Sequence, residues 1–201
     1  ILVTGGGGFL GQALCRGLLE RGHAVASVSR SRHPALDALG VEQRQGDLAD
    51  RDAVMAAFAG GFDAVFHNAA KAGAWGSYPS YHAANVVGTQ NVIDACKKFG
   101  VRQLVHISSM SVIDWAGSAG NGPVSEAAAL EPRPDERGAY TRAKLEAEQL
   151  VVEAAAAGLP TVILRPGQIF GGGIPLINGA VARNAGGRWL GQLAILYARG
   201  R

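Results

Sequence analysis

The sequence predicts an α/β fold in which a parallel sheet is covered by helices on both faces. Six short strand-like segments, of which the third is the weakest, alternate with longer segments whose apolar residues recur at helical spacing. Parallel strands joined by helical crossovers need that alternation, because each crossover must return the chain to the same end of the sheet. A chain of 201 residues can bury one substantial core, so a single α/β domain is the default.

The strands are predicted from short apolar or alternating runs that end at turn residues. In chain order they are Ile1–Val3, Ala24–Ser29, Val41–Gln45, Ala64–His67, Gln103–Ser109 and Thr161–Leu164. The helices are predicted from apolar periodicity, with Asp50 as an N-cap and glycines as stops. They are Leu10–Arg21, Asp50–Phe58, Tyr78–Phe99 and Tyr140–Ala157. Ligands of such a sheet bind beyond the carboxyl ends of the strands, so candidate site residues are sought there.

Glycines separate the first strand from the first helix, with the spacing Gly5, Gly8 and Gly11. Strand, glycine turn and helix in this order are typical of a dinucleotide-binding βαβ unit. Gly5 permits a sharp turn, Gly8 lets the backbone approach a pyrophosphate, and Gly11 lets the helix pack closely. The N–H groups at the helix start, around Phe9 and Leu10, then face the phosphates. This context favours nucleotide binding over a flexible loop and indicates a Rossmann-type, doubly wound sheet.

The end of the second predicted strand bears on the choice between NAD and NADP. An acidic residue there would bind the ribose 2′-hydroxyl of NAD, but the chain has Ser29, followed by Arg30 and Arg32. Guanidinium groups suit a ribose 2′-phosphate, so NADP is the predicted cofactor and NAD is kept as the alternative. A solvated loop would account for the same arginines.

Further segments that follow strand ends are predicted to contact the cofactor or the substrate. Asp47 and Leu48 lie beside the expected adenine, where Asp47 either accepts from the adenine amino group or caps the next helix. Small residues after the fourth strand let the chain pass close over the cofactor: Asn68, Ala69 and Ala70. Lys71 is assigned to the cofactor site, and the segment Lys71–Trp75 is also placed where it can reach a substrate. Trp75 serves either packing or substrate recognition.

Tyr140 and Lys144 lie four residues apart on a predicted helix and therefore share one face. A free tyrosine has a pKa of about 10, and a nearby ammonium would lower that pKa towards neutrality. Lys144 can also hold the nicotinamide ribose, while Ser109, ending the fifth strand, can hold a substrate oxygen against the phenol. The pair alone also describes helix-surface residues, but its position after a glycine-rich start makes it specific. No metal site is predicted.

Together these segments resemble the extended short-chain dehydrogenase/reductase family. The resemblance runs from Ile1 to about Gly173. It rests on Thr4–Gly11, Gly46–Leu48, Val65–Ala70, Asn85–Thr89, Val105–Ser109, Tyr140–Lys144 and Leu164–Gly167. It implies a bound NAD or NADP, a catalytic trio of Ser109, Tyr140 and Lys144, Pro166 near the nicotinamide and Ile169 in the cofactor site.

Two departures from the family pattern narrow the resemblance. The usual acid of the second strand is replaced by Ser29 and Arg30. The sixth strand is followed by Pro166–Gly171, where nucleotide-sugar members carry an Asn, and this form is more similar to the 3β-hydroxysteroid dehydrogenase branch. Within that branch, Lys71–Gly76 and Ile174–Ile177 resemble the 2-alkyl-3-oxoalkanoate reductases of bacterial olefin biosynthesis.

The resemblance implies an NAD(P)-dependent oxidoreductase that transfers a hydride between nicotinamide and a ketone or secondary alcohol. The expected substrate is a small apolar compound, either a 2-alkyl-3-oxoalkanoate or a 3β-hydroxysteroid-like molecule. One alternative is an epimerase or dehydratase that acts on a nucleotide sugar. A second is a regulatory protein that senses NADP without turnover, although such proteins usually lose the Tyr/Lys pair.

The composition of the chain indicates which partners and which cellular location to expect. The net charge is +3 without a basic run, so no nucleic-acid partner is expected. No apolar run approaches the roughly 20 residues of a membrane span, and no signal peptide is expected. The two cysteines are expected to be reduced core thiols, which favours a cytoplasmic location. The family suggests a homodimer through the two long helices, and contact with a membrane surface or partner enzyme is kept open.

The predicted Rossmann domain, residues 1–173, is followed by a partial substrate-binding lobe over residues 174–201. That lobe is expected to form two short apolar helical pieces separated by Gly186 and Gly187. Its apolar residues have too few partners for a complete second core, so we expect an open, partly unwalled substrate cleft. Either the chain is a fragment or flexible segments are absent, and the second explanation predicts a backbone break after Gly171.

Overall fold

The computed structural model describes residues 1–73, 76–118, 124–169 and 171. Within these ranges, the strands are β1 Leu2–Thr4, β2 Ala26–Ser29, β3 Glu42–Gln45, β4 Ala64–His67, β5 Gln103–Ile107 and β6 Thr161–Leu164. The α-helices are α1 Phe9–Glu20, α2 Pro34–Asp37, α3 Arg51–Phe58, α4 Tyr78–Tyr81, α5 Gly88–Phe99, α6 Trp115–Ser118 and α7 Ala139–Ala156. A π-helical segment, His82–Val87, joins α4 to α5, and a 3₁₀ turn covers Met110–Val112.

The strands form one parallel sheet in the order β3-β2-β1-β4-β5-β6. Leu2 of β1 lies opposite Ala26 of β2 on one side and opposite Val65 of β4 on the other. The first three strands progress outward from β1, and the chain then returns to β1 and builds the second half from β4. This reversal opens a crevice at the carboxyl ends of β1 and β4. The prediction of a Rossmann-type, doubly wound parallel sheet is confirmed.

The element boundaries differ from the predictions in a few informative places. β5 ends at Ile107, so Ser109 lies beyond the strand, in extended backbone that leads into the 3₁₀ turn. The helix predicted over Tyr78–Phe99 is present, but its middle is the π-helical segment. Helices α2 and α6 were not predicted, because four residues are too few to show an apolar period.

Successive residues of β1 face opposite sides of the sheet and start two hydrophobic clusters. Leu2 belongs to a cluster that includes Ile93 of α5 and Val151 of α7. Val3 belongs to the other, together with Cys15 of α1 and Leu36 of α2. Helices therefore cover both faces around β1, as the continuous apolar strands predicted.

β6 departs from the expectation that both faces are covered. Val162 and Leu164 alternate along this strand and are 44% and 46% exposed. Ile163, which lies between them, packs against the Leu2 cluster. Within the described residues, one face of this edge strand is therefore only partly covered.

Both cysteines are buried and free, as their helical positions predicted. Burial raises the pKa of Cys15 to about 11 and that of Cys96 to about 12. Because the thiolate is the reactive form, neither side chain is a nucleophile at neutral pH.

Two further sequence expectations concern a membrane-spanning helix and the C-terminal residues. Across the described ranges, no helix combines the length and apolar character needed to cross a bilayer. The predicted substrate lobe of residues 174–201 and the predicted break after Gly171 lie outside the described residues.

Candidate active site

The turn between β1 and α1 leaves no room for a side chain at Gly5 or Gly11. Gly5 adopts a φ of +67°, and its N–H donates to the Val28 carbonyl at 2.9 Å. A Cβ on Gly11 would lie 2.2 Å from the Gly5 carbonyl oxygen, so glycine is needed for α1 to begin against the turn. Gly8 is the N-cap residue, and no side chain caps the helix start. Backbone N–H groups at this helix terminus are therefore available to a phosphate.

A buried polar chain holds the loop that follows β4. The Ala69 N–H donates to Thr4 Oγ1 at 3.0 Å, and Thr4 Oγ1 lies 2.9 Å from His67 Nδ1. On the other side of the ring, His67 Nε2 lies 2.8 Å from Thr89 Oγ1, which donates to the Asn85 carbonyl at 2.5 Å. Burial, with a smaller contribution from the Lys144 charge, lowers the pKa of His67 to about 3.

The bonding pattern assigns the tautomer of this neutral imidazole. The Thr89 hydroxyl proton is used toward Asn85, so His67 Nε2 must donate to Thr89 Oγ1. His67 Nδ1 then accepts from the Thr4 hydroxyl. Each of these side chains thus has its hydrogen-bond partners, and the network orders the loop that follows β4.

Asn85 makes a second clamp on the same loop from within the π-helical segment. Its Oδ1 accepts from the Lys71 N–H at 2.7 Å, and its Nδ2 donates to the Lys71 carbonyl at 3.0 Å. An amide that pairs with both backbone groups of one residue fixes that residue in position and direction. π-Helical turns inside α-helices are often found at functional sites, and this one carries a side chain that shapes the cleft.

The cleft has a volume of about 780 Å³ and lies over the carboxyl ends of β1 to β4. Ten predicted site residues line it: Gly5, Gly8, Ser29, Arg30, Asp47, Leu48, Asn68, Ala69, Ala70 and Lys71. The other predicted site residues are not among the lining residues: Phe9, Leu10, Gly11, Arg32, Ser109, Tyr140, Lys144, Pro166 and Ile169.

The β2 end of the cleft fits the ribose of a dinucleotide. Ser29 Oγ is buried and has no hydrogen-bond partner among the described residues, which leaves it available to a ligand oxygen. Arg30 and His33 line the cleft beside it. Arg32, which was also predicted for this site, is not among the residues that line the cleft, and its guanidinium donates to Asp37 at 2.7 Å.

The adenine end involves the two carboxylates after β3. Asp47 lines the cleft, and its Oδ1 accepts from the Ala49 N–H at 2.9 Å. Asp50, three residues later, caps α3 by accepting from the N–H groups of Asp52 and Ala53. Helix capping therefore belongs to Asp50, and Asp47 remains a candidate for the adenine amino group.

Ser109 and Tyr140 come together beyond the end of β5. Ser109 Oγ accepts from the Ser111 N–H at 3.1 Å, which fixes the hydroxyl. Burial raises the pKa of Tyr140, and a hydrogen bond with the Ser109 side chain opposes this shift. The Tyr140 ring packs edge-on against Tyr81, with ring centroids 6.3 Å apart. Tyr140 is therefore a protonated phenol at neutral pH, held beside the serine that was predicted to accompany it.

Lys144 lies on the same helix but does not act on Tyr140 as predicted. Its ammonium donates to the Ile107 carbonyl at 2.7 Å, and the side chain is almost fully buried. Burial lowers the pKa of Lys144 to about 8, while the Glu148 charge acts in the opposite direction. The expectation that Lys144 lowers the pKa of Tyr140 is thus not met, because desolvation of the phenolate dominates at Tyr140.

The remaining predicted cofactor residues lie around the edge of the site. Phe9 begins α1, and a Cβ on Gly171 would lie 2.9 Å from its ring; Leu10 follows in the same helical turn. The Pro166 carbonyl accepts from the Met110 N–H at 3.0 Å, which places it beside the loop after β5. Ile169 is 40% exposed. Trp75 lies outside the described residues.

A known protein family matches most of this chain. Residues 1–185 match the model described as "NAD dependent epimerase/dehydratase family". The chain belongs to this family. The extended short-chain dehydrogenase/reductase resemblance of the sequence is thereby confirmed.

Relatives within the epimerase/dehydratase family include two named 2-alkyl-3-oxoalkanoate reductase. The protein from Stenotrophomonas maltophilia is 55% identical over 175 residues, which cover 86% of this chain and 52% of the relative. That from Shewanella oneidensis is 40% identical over 194 residues, covering 92% of this chain and 49% of the relative. A 3β-hydroxysteroid dehydrogenase/isomerase from Mycobacterium tuberculosis is 36% identical. The chain spans about half the length of the curated relatives that it matches.

A solved family member gives the same architecture. The UDP-glucose 4-epimerase of Thermus thermophilus, in complex with NAD, superposes with a TM-score of 0.69 at 30% identity. The match covers 82% of this chain and 53% of the epimerase. The family is described as NAD dependent, and this epimerase structure contains NAD. Both descriptions agree with a cleft that accommodates a nicotinamide dinucleotide.

Several residues that shape the site were missed by the sequence analysis. His33 and Ser80 line the cleft from segments without a recognisable motif. Asn85 was noted only within a family motif, and its clamp on Lys71 depends on the π-helical segment. Glu148 lies one turn beyond Lys144, and this spacing is the only signal that could have indicated a role.

Proposed function

We propose that the protein is an NADP(H)-dependent oxidoreductase that interconverts the ketone of a 2-alkyl-3-oxoalkanoate and the corresponding secondary alcohol. The observation that carries the proposal is the position of Tyr140, whose ring packs edge-on against Tyr81, which is also approached by the cleft-lining Lys71. Burial raises the pKa of Tyr140, and the Ser109 side chain opposes that shift. The substrate class is supported by the two relatives named 2-alkyl-3-oxoalkanoate reductase.

Tyr140, Ser109 and Lys144 have separate roles in the proposed reaction. A bound nicotinamide cofactor supplies or accepts the hydride. In the direction of reduction, the Tyr140 hydroxyl donates its proton to the carbonyl oxygen of the substrate, and Ser109 orients that oxygen. A raised pKa suits this role, because the phenol keeps its proton at neutral pH until the oxygen gains charge. Lys144, positioned by the Ile107 carbonyl, is the group that would hold the nicotinamide ribose.

The reaction is tested by replacing Tyr140 with Phe. We expect kcat for a 2-alkyl-3-oxoalkanoate to fall by about a hundredfold to ten-thousandfold, since the positioned acid is lost. The Kd for NADPH should stay nearly unchanged. Tyr78→Phe is the matched control, because Tyr78 donates to Glu146 and lies on a different helix from Tyr140. Normal turnover by the Tyr140→Phe protein would overturn the mechanism.

The preference for NADP rests on Arg30 and the unpartnered Ser29 hydroxyl. Arg30→Ala should weaken NADP binding about tenfold to a hundredfold, the range of a charge-assisted hydrogen bond, and should leave NAD binding nearly unchanged. Arg32→Ala, two residues away and paired with Asp37, serves as the matched control and should alter neither affinity. Equal losses for both cofactors in the Arg30→Ala protein, or a wild type that prefers NAD, would refute the assignment.

A nucleotide-sugar epimerase remains the second candidate, because solved structures with this fold include UDP-sugar epimerases. The two functions differ in their substrate and in their redox balance. An epimerase converts a UDP-hexose without net oxidation of the cofactor, whereas the proposed reductase consumes NADPH in proportion to product. Assaying a UDP-hexose and a 2-alkyl-3-oxoalkanoate in parallel separates the epimerase from the reductase. A protein that binds NADP in a titration but turns over neither substrate would be the NADP sensor.

A further inference from the structure

Lys71 contributes an ammonium group to the cleft, and this group takes part in none of the ion pairs formed by the described residues. Lys71 lines the cleft and is half-buried, and its Nζ donates to Ser80 Oγ at 2.8 Å. The same Nζ lies 5.1 Å from the centroid of the Tyr81 ring. Among the described residues, no acidic side chain forms an ion pair with Lys71. A cation that is partly removed from water, with only a hydroxyl and a ring face as partners, is well suited to bind an anion.

The other cations around the chemical centre are already engaged. Arg165 pairs with Glu148 at 2.6 Å, and Arg142 pairs with Glu146 at 2.9 Å. Lys144 is enclosed and donates to a backbone carbonyl. Arg30 lines the cleft at β2, which is separated from β4 by β1. In the described part of the site, Lys71 is thus the cation that is open to the cleft on the Tyr140 side.

The position of Lys71 is fixed by its neighbours. Asn85 bonds to both its N–H and its carbonyl, which holds the backbone. Ser80 is held in turn, because its hydroxyl donates to the Ser77 carbonyl at 2.7 Å. The ammonium is therefore placed against α4 rather than left to sample the solvent. Such prior ordering reduces the entropy lost when a ligand binds.

Lys71 and Tyr140 contact the same aromatic ring. The Lys71 ammonium approaches Tyr81, whose ring also packs edge-on against Tyr140. The Tyr81 ring therefore brings the Lys71 ammonium and the Tyr140 ring to neighbouring parts of the site. A 3-oxoacid carries an anionic group and a ketone close together, because a single carbon atom separates the carboxylate carbon from the ketone carbon.

We propose that Lys71 binds the carboxylate of a 3-oxoacid, or of its 3-hydroxy product, and so places the ketone carbon at Tyr140. The inference rests on the proposed function and adds the part of the substrate that Lys71 selects. It assigns Lys71 to the substrate rather than to the cofactor, where the sequence analysis had placed it. The recognised chemistry is a free carboxylate, and a neutral ester of the same acid lacks it.

The test compares a 2-alkyl-3-hydroxyalkanoic acid with its methyl ester in the oxidation direction with NADP⁺. Wild type should favour the acid in kcat/KM by about tenfold or more, as expected for a charge-assisted contact. Lys71→Met should remove most of that preference through KM, while leaving the ester within about twofold and the Kd for NADP⁺ unchanged. Lys71→Arg should restore part of the preference. Lys97→Met, an exposed lysine of α5, is the matched control.

Each other outcome has a distinct meaning. A Lys71→Met protein that loses acid and ester turnover equally would show that Lys71 does not select the carboxylate, and the inference fails. A weakened Kd for NADP⁺ would return Lys71 to the cofactor site and also overturn it. If wild type oxidises neither acid nor ester, the proposed function itself is wrong. Circular dichroism and melting temperature identify any variant that has lost its fold. If Lys71→Met is such a variant, the preference of the Lys71→Arg protein for the acid over the ester decides the test.

Discussion

At the scale of single residues, Lys144 carries the clearest conflict between chemistry and stability. The side chain is 2% exposed, and its ammonium has a backbone carbonyl as its hydrogen-bond acceptor. Burial lowers its pKa to about 8, below the ordinary value of 10.5. A folded state that disfavours the charged form is destabilised wherever the lysine is protonated.

This environment predicts that Lys144→Met is more stable than wild type at pH 7, by about 1–3 kcal/mol, although it would lose activity. Between pH 8 and 10.5 the unfolded chain retains the Lys144 proton while the folded chain releases it. The free energy of unfolding of wild type therefore rises with pH across this window, relative to the variant. The stability difference should be full below pH 8 and should shrink as the pH rises to 10.5.

Urea denaturation of both proteins at several pH values measures this difference. Lys97→Met provides the matched control, since Lys97 is exposed, and its effect should be small and independent of pH. A Lys144→Met protein that is less stable than wild type at pH 7 would contradict the argument. It would mean that the bond to Ile107 outweighs the desolvation of the ammonium.

At the scale of elements, a buried ion pair ties α7 to the ends of two strands. Glu148 of α7 is 1% exposed and accepts from Arg165, which follows β6, at 2.6 Å. It also accepts from the hydroxyl of Ser108, which follows β5, at 2.5 Å. These bonds fix the helix that carries Tyr140 and Lys144 against the loop that carries Ser109. The site geometry therefore depends on residues that do not reach the substrate.

Removing one partner of this pair should be costly. We expect Arg165→Met to lower the free energy of unfolding by about 2–4 kcal/mol, because it leaves a buried carboxylate unpaired. The double variant Glu148→Gln/Arg165→Met should recover much of the loss, since the uncompensated charge is then gone. Chemical denaturation measures both changes.

The matched control for this prediction is Arg102→Met. Arg102 pairs with Asp63 at 2.6 Å, but both side chains are 76% exposed. An exposed pair of this kind contributes at most about 1 kcal/mol, so the control should differ little from wild type. Similar losses at Arg165 and Arg102 would show that burial of Glu148 does not set the energy of its pair.

At the scale of the whole molecule, strand order decides where the site lies. The sheet reverses its direction of growth between β1 and β4, and loops from both halves meet over that point. The cleft gathers residues from the ends of β1, β2, β3 and β4, although these segments are far apart in the chain. The trio of Ser109, Tyr140 and Lys144 lies farther along the sheet, beyond β5. Topology thus brings the cleft and this trio to the same edge of the sheet.

Much of this arrangement follows from the sequence by itself. Apolar runs and helical periods predict each long element, because local burial patterns repeat with the geometry of strand and helix. The spacing of Gly5, Gly8 and Gly11 predicts the turn, since backbone conformation and close packing exclude side chains at Gly5 and Gly11. The four-residue spacing of Tyr140 and Lys144 places them on one helical face for the same local reason.

Tertiary structure decided what depends on distant neighbours. Arg32 pairs with Asp37, and Asn85 bonds to Lys71 from a π-helical turn that no local pattern indicates. The pKa of Tyr140 is raised rather than lowered, because packing removes water from the phenol while Lys144 bonds to Ile107. Desolvation and pairing are set by residues brought together across the sheet, and their chain separation carries no record of that contact.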